Sequence, residues 1–237
     1  MPQTVNIKSG DTTMNLYDAE PNGPARGAII VLQEAFGVND HIQDICRRFA
    51  AEGYRTVAPH LFHRTGDPVL DYEDLQSVVG QIMKLRADGI NADVDASLEY
   101  LGDAGFNVGQ VGIIGFCMGG SISFSSATRH QFGASVSFYG GGISEGRFGI
   151  PPLVELAPNL KCPWIGFFGD QDESIRVDHV EALRAAVAKA PVPTEIVRYP
   201  DADHGFHCDA RDSYHEPSSK DAWQRTLNWF DAHLPQP

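Results

Sequence analysis

The sequence lacks the features that mark secreted, membrane-spanning and disulfide-stabilised proteins. Its start, MPQTVNIKSG, has no basic segment followed by an apolar one, so no secretory signal is expected. No apolar run approaches the ~18 residues that cross a bilayer, so no membrane partner is expected. Four cysteines, Cys46, Cys117, Cys162 and Cys208, show no C-x-x-C spacing, which favours free thiols. These absences predict a cytoplasmic protein.

Positive charge is also scarce. Lys and Arg number 18 against 31 Asp and Glu, which gives a formal net charge of −13. Because an acidic chain repels the phosphate backbone, nucleic acid is not expected as a partner. There is no internal repeat or low-complexity tract to indicate a linker. We therefore expect a single domain over residues 1–237.

Short apolar runs alternate with segments of helical spacing. The runs predict strands at Ala28–Leu32, Tyr54–Ala58, Val111–Gly115, Ala134–Phe138, Trp164–Phe168 and Thr194–Tyr199. The helical segments are His41–Gly53, Tyr72–Gly102 (two helices broken near Asp88-Gly89), Met118–Thr128, Arg176–Lys189 and Ser219–His233. This order predicts an α/β fold with a mostly parallel central sheet flanked by helices. No separate lid domain is indicated, and the site is expected beyond the carboxyl ends of the strands.

The third predicted strand ends in Gly115-Phe116-Cys117-Met118-Gly119, which is a cysteine version of the nucleophile elbow. Its glycines allow the strand and the next helix to approach closely through a sharp turn. The turn lifts the sulfur above the sheet and directs the helix N-terminus at it, which favours the thiolate. The backbone N–H of Met118 is then placed to stabilise an oxyanion. The alternative is an inert buried thiol in a glycine-rich turn.

A thiol nucleophile needs a base, and the base needs an orienting acid. In this architecture the chain order is nucleophile, acid, histidine, and Cys117, Asp172 and His204 follow that order at strand ends. Asp170 competes with Asp172 because both lie in one G-D-Q-D loop, where either is also a natural turn residue. Glu173 is a third candidate for the acid.

These residues together resemble the dienelactone hydrolase family, and the resemblance extends over most of the chain. The matching motifs are Q-E-A-F-G from residue 33, G-F-C-M-G-G, F-Y-G, G-D-Q-D and D-H-G-F. The resemblance implies one α/β-hydrolase domain over residues 1–237, and a hydrolase without metal or cofactor that cleaves small-molecule esters or lactones through an acyl-cysteine intermediate. It places the nucleophile at Cys117, the acid at Asp172 and the base at His204. It also implies that Glu34 lies near the thiol and helps to form the thiolate when substrate binds.

The resemblance assigns further residues and shows one departure. It implies that the N–H of Ala35 is the second oxyanion donor and that Phe36 and Tyr139 contact the substrate. Members of the family hold the substrate carboxylate with two arginines, but residues 65–83 contain no Lys or Arg. We therefore do not expect dienelactone itself to be the natural substrate. The other cations that could supply the charge are Arg64, Lys84, Arg86 and Arg211.

Two other classes of protein fit some of the same residues. An exposed elbow thiol oxidises readily, so Cys117 is also compatible with a redox-sensing or non-catalytic thiol protein on the same fold. A metal protein would use His60, His63, His204, His207, Cys208 and His215. These residues lie in predicted loops without an acidic helix motif, so no metal is expected. The sequence is compatible with a monomer or a homodimer.

Overall fold

Strands and helices alternate along the chain. The computed structural model describes residues 2–235. The strands are β1 (Gln3–Ser9), β2 (Thr12–Ala19), β3 (Ala28–Leu32), β4 (Arg55–Pro59), β5 (Val111–Phe116), β6 (Ala134–Phe138), β7 (Trp164–Gly169) and β8 (Thr194–Tyr199). The helices are α1 (Asp40–Ala51), α2 (Leu75–Ile82), α3 (Ala87–Asp103), α4 (Met118–Arg129), α5 (Leu153–Leu156), α6 (Val177–Val187) and α7 (Glu216–His233).

The strands form one eight-stranded sheet in the order β1-β2-β4-β3-β5-β6-β7-β8. Strands β3 to β8 pair in parallel, and β1 and β2 add an antiparallel edge. Every residue of β3, β5, β6 and β7 is buried, as expected of parallel strands covered on both faces. The predicted α/β fold with a mostly parallel sheet is confirmed.

The predicted strands correspond to β3 to β8, each boundary agreeing within one residue. The β1–β2 hairpin was not predicted, because its alternation of polar with apolar residues leaves one side exposed and forms no continuous apolar run. The two helices predicted over Tyr72–Gly102 are confirmed as α2 and α3, but the predicted position of the break, near Asp88-Gly89, is wrong. Both residues lie in the first turn of α3, and the break falls at residues 83–86. An acidic residue is stabilised at a helix N-terminus, so Asp88 favours the start of a helix.

Two further observations concern the chain as a whole. Among residues 2–235, no helix is long and apolar enough to cross a membrane. The predicted domain, residues 1–237, includes Met1, Gln236 and Pro237, which lie outside the described residues.

Because β3, β5, β7 and β8 are parallel, their carboxyl ends meet at one edge of the sheet. The segments that follow these four ends, together with the one that follows β6, build the candidate site.

Candidate active site

Cys117 sits in a strained turn between β5 and α4. Its backbone dihedrals are φ 53° and ψ −116°, a region that favours glycine and costs another residue about 1–3 kcal/mol. The glycines around it are sterically required. A Cβ on Gly115 would lie 1.9 Å from the carbonyl oxygen of Gly119, and one on Gly119 would lie 2.4 Å from that of Leu32. The structure therefore has the sharp turn that the elbow motif predicts.

The thiol of Cys117 is accessible, in contrast to the other three. All four cysteines are free; Cys117 is partly exposed, whereas Cys46, Cys162 and Cys208 are buried. Burial raises the pKa of Cys162 to about 12, and burial with the nearby charge of Glu34 raises that of Cys208 to about 11. Helix α4 begins directly after Cys117, so the positive end of a 12-residue helix faces this position. Cys117 is thus the thiol best placed to react.

Asp172 and His204 are joined by a hydrogen bond, with 2.6 Å between Oδ2 of Asp172 and Nδ1 of His204. The other carboxylate oxygen, Oδ1, accepts from the amides of Ser174 and Ile175 and from the Ser174 hydroxyl, at 2.6–3.0 Å. Burial acts to raise the pKa of Asp172, but the hydrogen bonds from His204 and Ser174 outweigh it and lower this pKa. Asp172 is therefore a buried, fully bonded carboxylate that orients the imidazole.

His204 also interacts with Cys117. Burial acts to lower the pKa of His204, but the charge of the Cys117 thiolate and the hydrogen bonds with Asp172 and Cys117 outweigh it and raise this pKa to about 10. His204 thus lies between the Asp172 carboxylate and the Cys117 thiol, which is the position of a base that can take up a proton from a cysteine nucleophile. The structure thus brings together the three residues that the sequence placed at separate strand ends.

The two competing acids lie elsewhere. Asp170 accepts two hydrogen bonds of 2.7 Å from the guanidinium of Arg198, so its carboxylate is occupied in an ion pair. The side chain of Glu173 is exposed to solvent. Of the three candidates, Asp172 is the one that contacts His204.

Glu34 is a buried carboxylate with little stabilisation. It follows β3, it is 1% exposed, and neither of its oxygens has a hydrogen-bond partner among the described residues. Its nearest cationic atom is Nη1 of Arg211, 3.7 Å from Oε1. Burial without hydrogen bonds is costly for a carboxylate, and such residues concentrate at functional sites. Glu34 is therefore not a solvated residue at a strand end.

Arg211 lies beside Glu34, a position that the sequence did not reveal. Its guanidinium carbon is 5.6 Å from the centre of the Phe36 ring. Gly205, directly after His204, has φ +82°, and a Cβ there would lie 2.2 Å from Nη1 of Arg211. The glycine of the D-H-G-F motif therefore leaves room for this guanidinium. That glycine is the one sequence signal that could have indicated it.

The other three candidate cations are placed differently. Arg64 donates to the carboxylate of Asp93 at 2.8 Å. Arg86 donates to the backbone carbonyls of Met83 and Leu85, and Lys84 is exposed. Of the four, Arg211 is the cation that lies against Glu34.

Tyr139 and Phe36 are packed around the same residues. The Tyr139 ring centre is 5.1 Å from that of His204, and its hydroxyl has no partner among residues 2–235. Burial, with the charge of Glu34, raises the pKa of Tyr139 well above its ordinary value, so the hydroxyl is protonated. Phe36 is 5% exposed and contacts the Tyr72 ring edge-on at 4.5 Å. Substrate contact by Tyr139 and Phe36, and oxyanion binding by the Ala35 and Met118 amides, stay predictions.

The histidines that suggested a metal centre are dispersed. Each has its own polar partner: His60 with Asp67, His63 with Asp93, His207 with Ser219, and His215 with Ser218. Within the described part of the chain, no group of three or more His, Cys, Asp or Glu side chains could hold a metal ion.

A mostly parallel eight-stranded sheet with a nucleophile elbow after β5 and a histidine after β8 defines an α/β-hydrolase. The model of the dienelactone hydrolase family matches residues 14–234, and the chain belongs to this family. A protein of Yersinia pestis named as a carboxymethylenebutenolidase is 38% identical over 98% of this chain and 91% of its own length. One of Escherichia coli K12 with the same name is 40% identical, over 94% and 84%.

Solved structures give the same assignment. A crystal structure from Klebsiella pneumoniae, described as a dienelactone hydrolase, has a TM-score of 0.90 at 38% identity and covers 98% of each chain. A thermophilic esterase from Thermogutta terrifontis has a TM-score of 0.72 at 18% identity, which shows the fold alone. The protein is therefore a hydrolase of the dienelactone hydrolase type, as the sequence motifs predict.

Proposed function

We propose that this protein hydrolyses small-molecule carboxylic esters or lactones with Cys117 as the nucleophile. The observation that carries the proposal is the contact of His204 with Asp172 on one side and with Cys117 on the other. The relatives named as carboxymethylenebutenolidases support a lactone as one class of substrate. The cytoplasm as compartment, and the absence of a cofactor, stay predictions.

In the acylation step, the Cys117 thiolate attacks the carbonyl carbon and a carbon–sulfur bond forms. The carbonyl electrons move to oxygen, and the oxyanion is held by the amides of Met118 and Ala35. Collapse of this intermediate breaks the carbon–oxygen bond. The leaving oxygen takes a proton from the His204 imidazolium, which leaves an acyl-cysteine and a neutral imidazole. With a lactone, the alcohol stays attached to the acyl group.

In the deacylation step, neutral His204 removes a proton from water while Asp172 holds the ring through Nδ1. The hydroxide attacks the acyl-cysteine, and collapse expels the Cys117 thiolate with the free acid. The thiolate and the imidazolium are thereby regenerated. Because Asp172 already accepts three hydrogen bonds besides that of His204, its carboxylate needs no reorganisation between the two steps.

Arg211 and Glu34 give the site its charge selectivity. The Arg211 side chain is 21% exposed, whereas that of Glu34 is 1% exposed. A substrate carboxylate can therefore approach the guanidinium from solvent and compete with Glu34 for it. Glu34 would then lose its ion pair and accept the proton of the Cys117 thiol, which passes on to His204 and leaves the thiolate and the imidazolium. Formation of the thiolate on substrate binding is the role that the family resemblance implies for Glu34. The favoured substrate is an ester or lactone that carries a carboxylate.

Trapping the intermediate tests this proposal. The His204→Ala variant, mixed with an activated aryl ester, should gain the mass of one acyl group, because acylation by the thiol persists while water is no longer activated. The double variant Cys117→Ala/His204→Ala is the control and should gain no mass. Intact-protein mass spectrometry reads both. Ester hydrolysis by wild-type protein with no acyl adduct in His204→Ala would contradict the acyl-cysteine route. An oxidised Cys117 without any turnover would favour a redox sensor.

A further inference from the structure

Helix α2 exposes a stripe of large apolar side chains. Leu75, Val79 and Met83 follow one another at four-residue spacing, which places them on one side of the helix. Their exposed fractions are 65%, 54% and 70%. Val69, just before the helix, is 60% exposed. Adjacent exposed apolar side chains of this size are unusual on the surface of a monomer and mark an interaction site. We call Leu75, Val79 and Met83 the α2 face.

The α2 face is a built surface and not the outcome of a poorly packed helix. Val78 and Ile82 flank the stripe along one edge and anchor the helix, because Val78 is buried and Ile82 packs against the core. The helix is capped by Asp74, whose Oδ1 accepts from the amide of Ser77 at 3.1 Å. Between residues 75 and 82 the sequence LQSVVGQI contains no charged residue that would keep this side in water.

The two ends of the α2 face carry opposite charges. Asp71, Glu73 and Asp74 precede the helix, whereas Lys84 and Arg86 follow it. Two such helices packed antiparallel place the acidic end of each against the basic end of the other. An isologous contact about a two-fold axis has this arrangement. If residue i of one copy meets residue j of the other, then residue j of the first copy meets residue i of the second. The opposite charges at the two ends of α2 are therefore complementary to those of a second copy of this chain.

We propose that the α2 face is the contact surface of a homodimer, with α2 antiparallel to α2 of the second copy. The two-fold axis then passes close to Val79, so the two Val79 side chains meet. Leu75 of one copy reaches the groove beside Met83 of the other. That groove is lined by the apolar side chains of Ile82, Met83, Leu85 and Phe148, together with Arg86, Arg147 and Gly149. The proposal is independent of the hydrolytic mechanism.

The charges at the ends of α2 also complement its own dipole, since acidic residues precede it and basic residues follow it. That explanation accounts for the charges but not for the exposed apolar stripe between them. A single helix needs no such stripe for its own stability. The dimer accounts for both features. Mixing variants with exchanged charges distinguishes the dimer from the helix-dipole explanation.

Sedimentation velocity over a range of concentrations tests the apolar contact. Wild type should show a monomer–dimer equilibrium. Val79→Asp places two carboxylates at the axis and should weaken the dimer by about 100-fold or more, as expected at the centre of an interface. Val108→Asp is the control, because Val108 is 39% exposed in the turn before β5, outside the α2 face. Circular dichroism melts check that both variants fold. A monomeric wild type, or a dimer that tolerates Val79→Asp, would overturn the proposal.

A charge exchange tests the antiparallel orientation. Glu73→Lys alone and Lys84→Glu alone each place two like-charge pairs across the axis, so each dimer should weaken about tenfold at low ionic strength. An equimolar mixture of the two variants restores both attractive pairs and should dimerise as wild type does. Helix-dipole effects act within one chain and predict no rescue on mixing. Failure of the mixture to dimerise would contradict the orientation.

Discussion

Nδ1 of His204 lies 2.6 Å from Oδ2 of Asp172, whereas Asp170, two residues earlier, is held by Arg198. The G-D-Q-D loop thus carries two carboxylates with separate tasks. One binds the arginine of β8, which joins the loop to the neighbouring strand. The other is 4% exposed and binds the imidazole. The loop allows both because Asp172 faces the site and Asp170 faces β8.

Replacing these two aspartates should separate orientation of the base from support of the loop. Asp172→Asn removes the charge behind the His204 imidazolium, so we expect kcat/KM to fall on the order of 10³–10⁴-fold, by analogy with the serine-protease acid. Asp170→Asn should leave kcat/KM within about threefold and lower the melting temperature slightly, because it weakens one partly exposed ion pair. Steady-state kinetics and thermal melts measure both. A larger kinetic loss in Asp170→Asn would assign the acid to the other aspartate.

We expect the Glu34 carboxylate to lower the stability of the folded protein and to contribute to its activity. Glu34→Gln removes a buried charge that has no hydrogen bonds, so we expect the variant to be more stable by about 1–3 kcal/mol in denaturant unfolding. The same change should lower kcat by about tenfold or more, because the carboxylate no longer assists thiolate formation. Glu195→Gln, at an exposed position of β8, is the matched control. A variant that is both fully active and no more stable than wild type would remove Glu34 from the mechanism.

Arg211 should set the preference for charged substrates. We expect Arg211→Met to lower kcat/KM for an ester that carries a carboxylate by about 100-fold, and to change that for a neutral ester of the same size by less than about fivefold. The comparison of two substrates separates lost recognition from a general loss of structure. Arg225→Met, on the exposed side of α7, is the control. Equal losses for both esters would show that Arg211 only supports Glu34.

The convergence of Cys117, Asp172 and His204 could be predicted from the sequence because each residue lies next to a strand end. A strand end has a fixed place in a parallel sheet, so residues distant in the chain are brought to one edge. The elbow glycines added a local steric signal, and Gly115 and Gly119 indeed lack space for a Cβ. The hydrolase class followed from the same motifs.

The rest depends on tertiary packing that leaves little trace in the sequence. Arg211 reaches Glu34 through the conformation of the loop after His204. An irregular loop has no periodic sequence pattern from which its path could be predicted. The choice between Asp170 and Asp172 depends on which carboxylate faces β8. The β1–β2 hairpin has one exposed side, so its apolar residues alternate with polar ones and escape a search for buried runs.

The most direct test of the central claim compares ester hydrolysis by wild type, Cys117→Ala and Cys162→Ala with one activated aryl ester and no added metal. Cys162 is a buried free thiol outside the site, so its replacement controls for the loss of a cysteine. We expect wild type and Cys162→Ala to turn over the ester at similar rates, and Cys117→Ala to lose at least about 10³-fold in kcat. Turnover by Cys117→Ala close to that of wild type would contradict the assignment of Cys117 as the nucleophile.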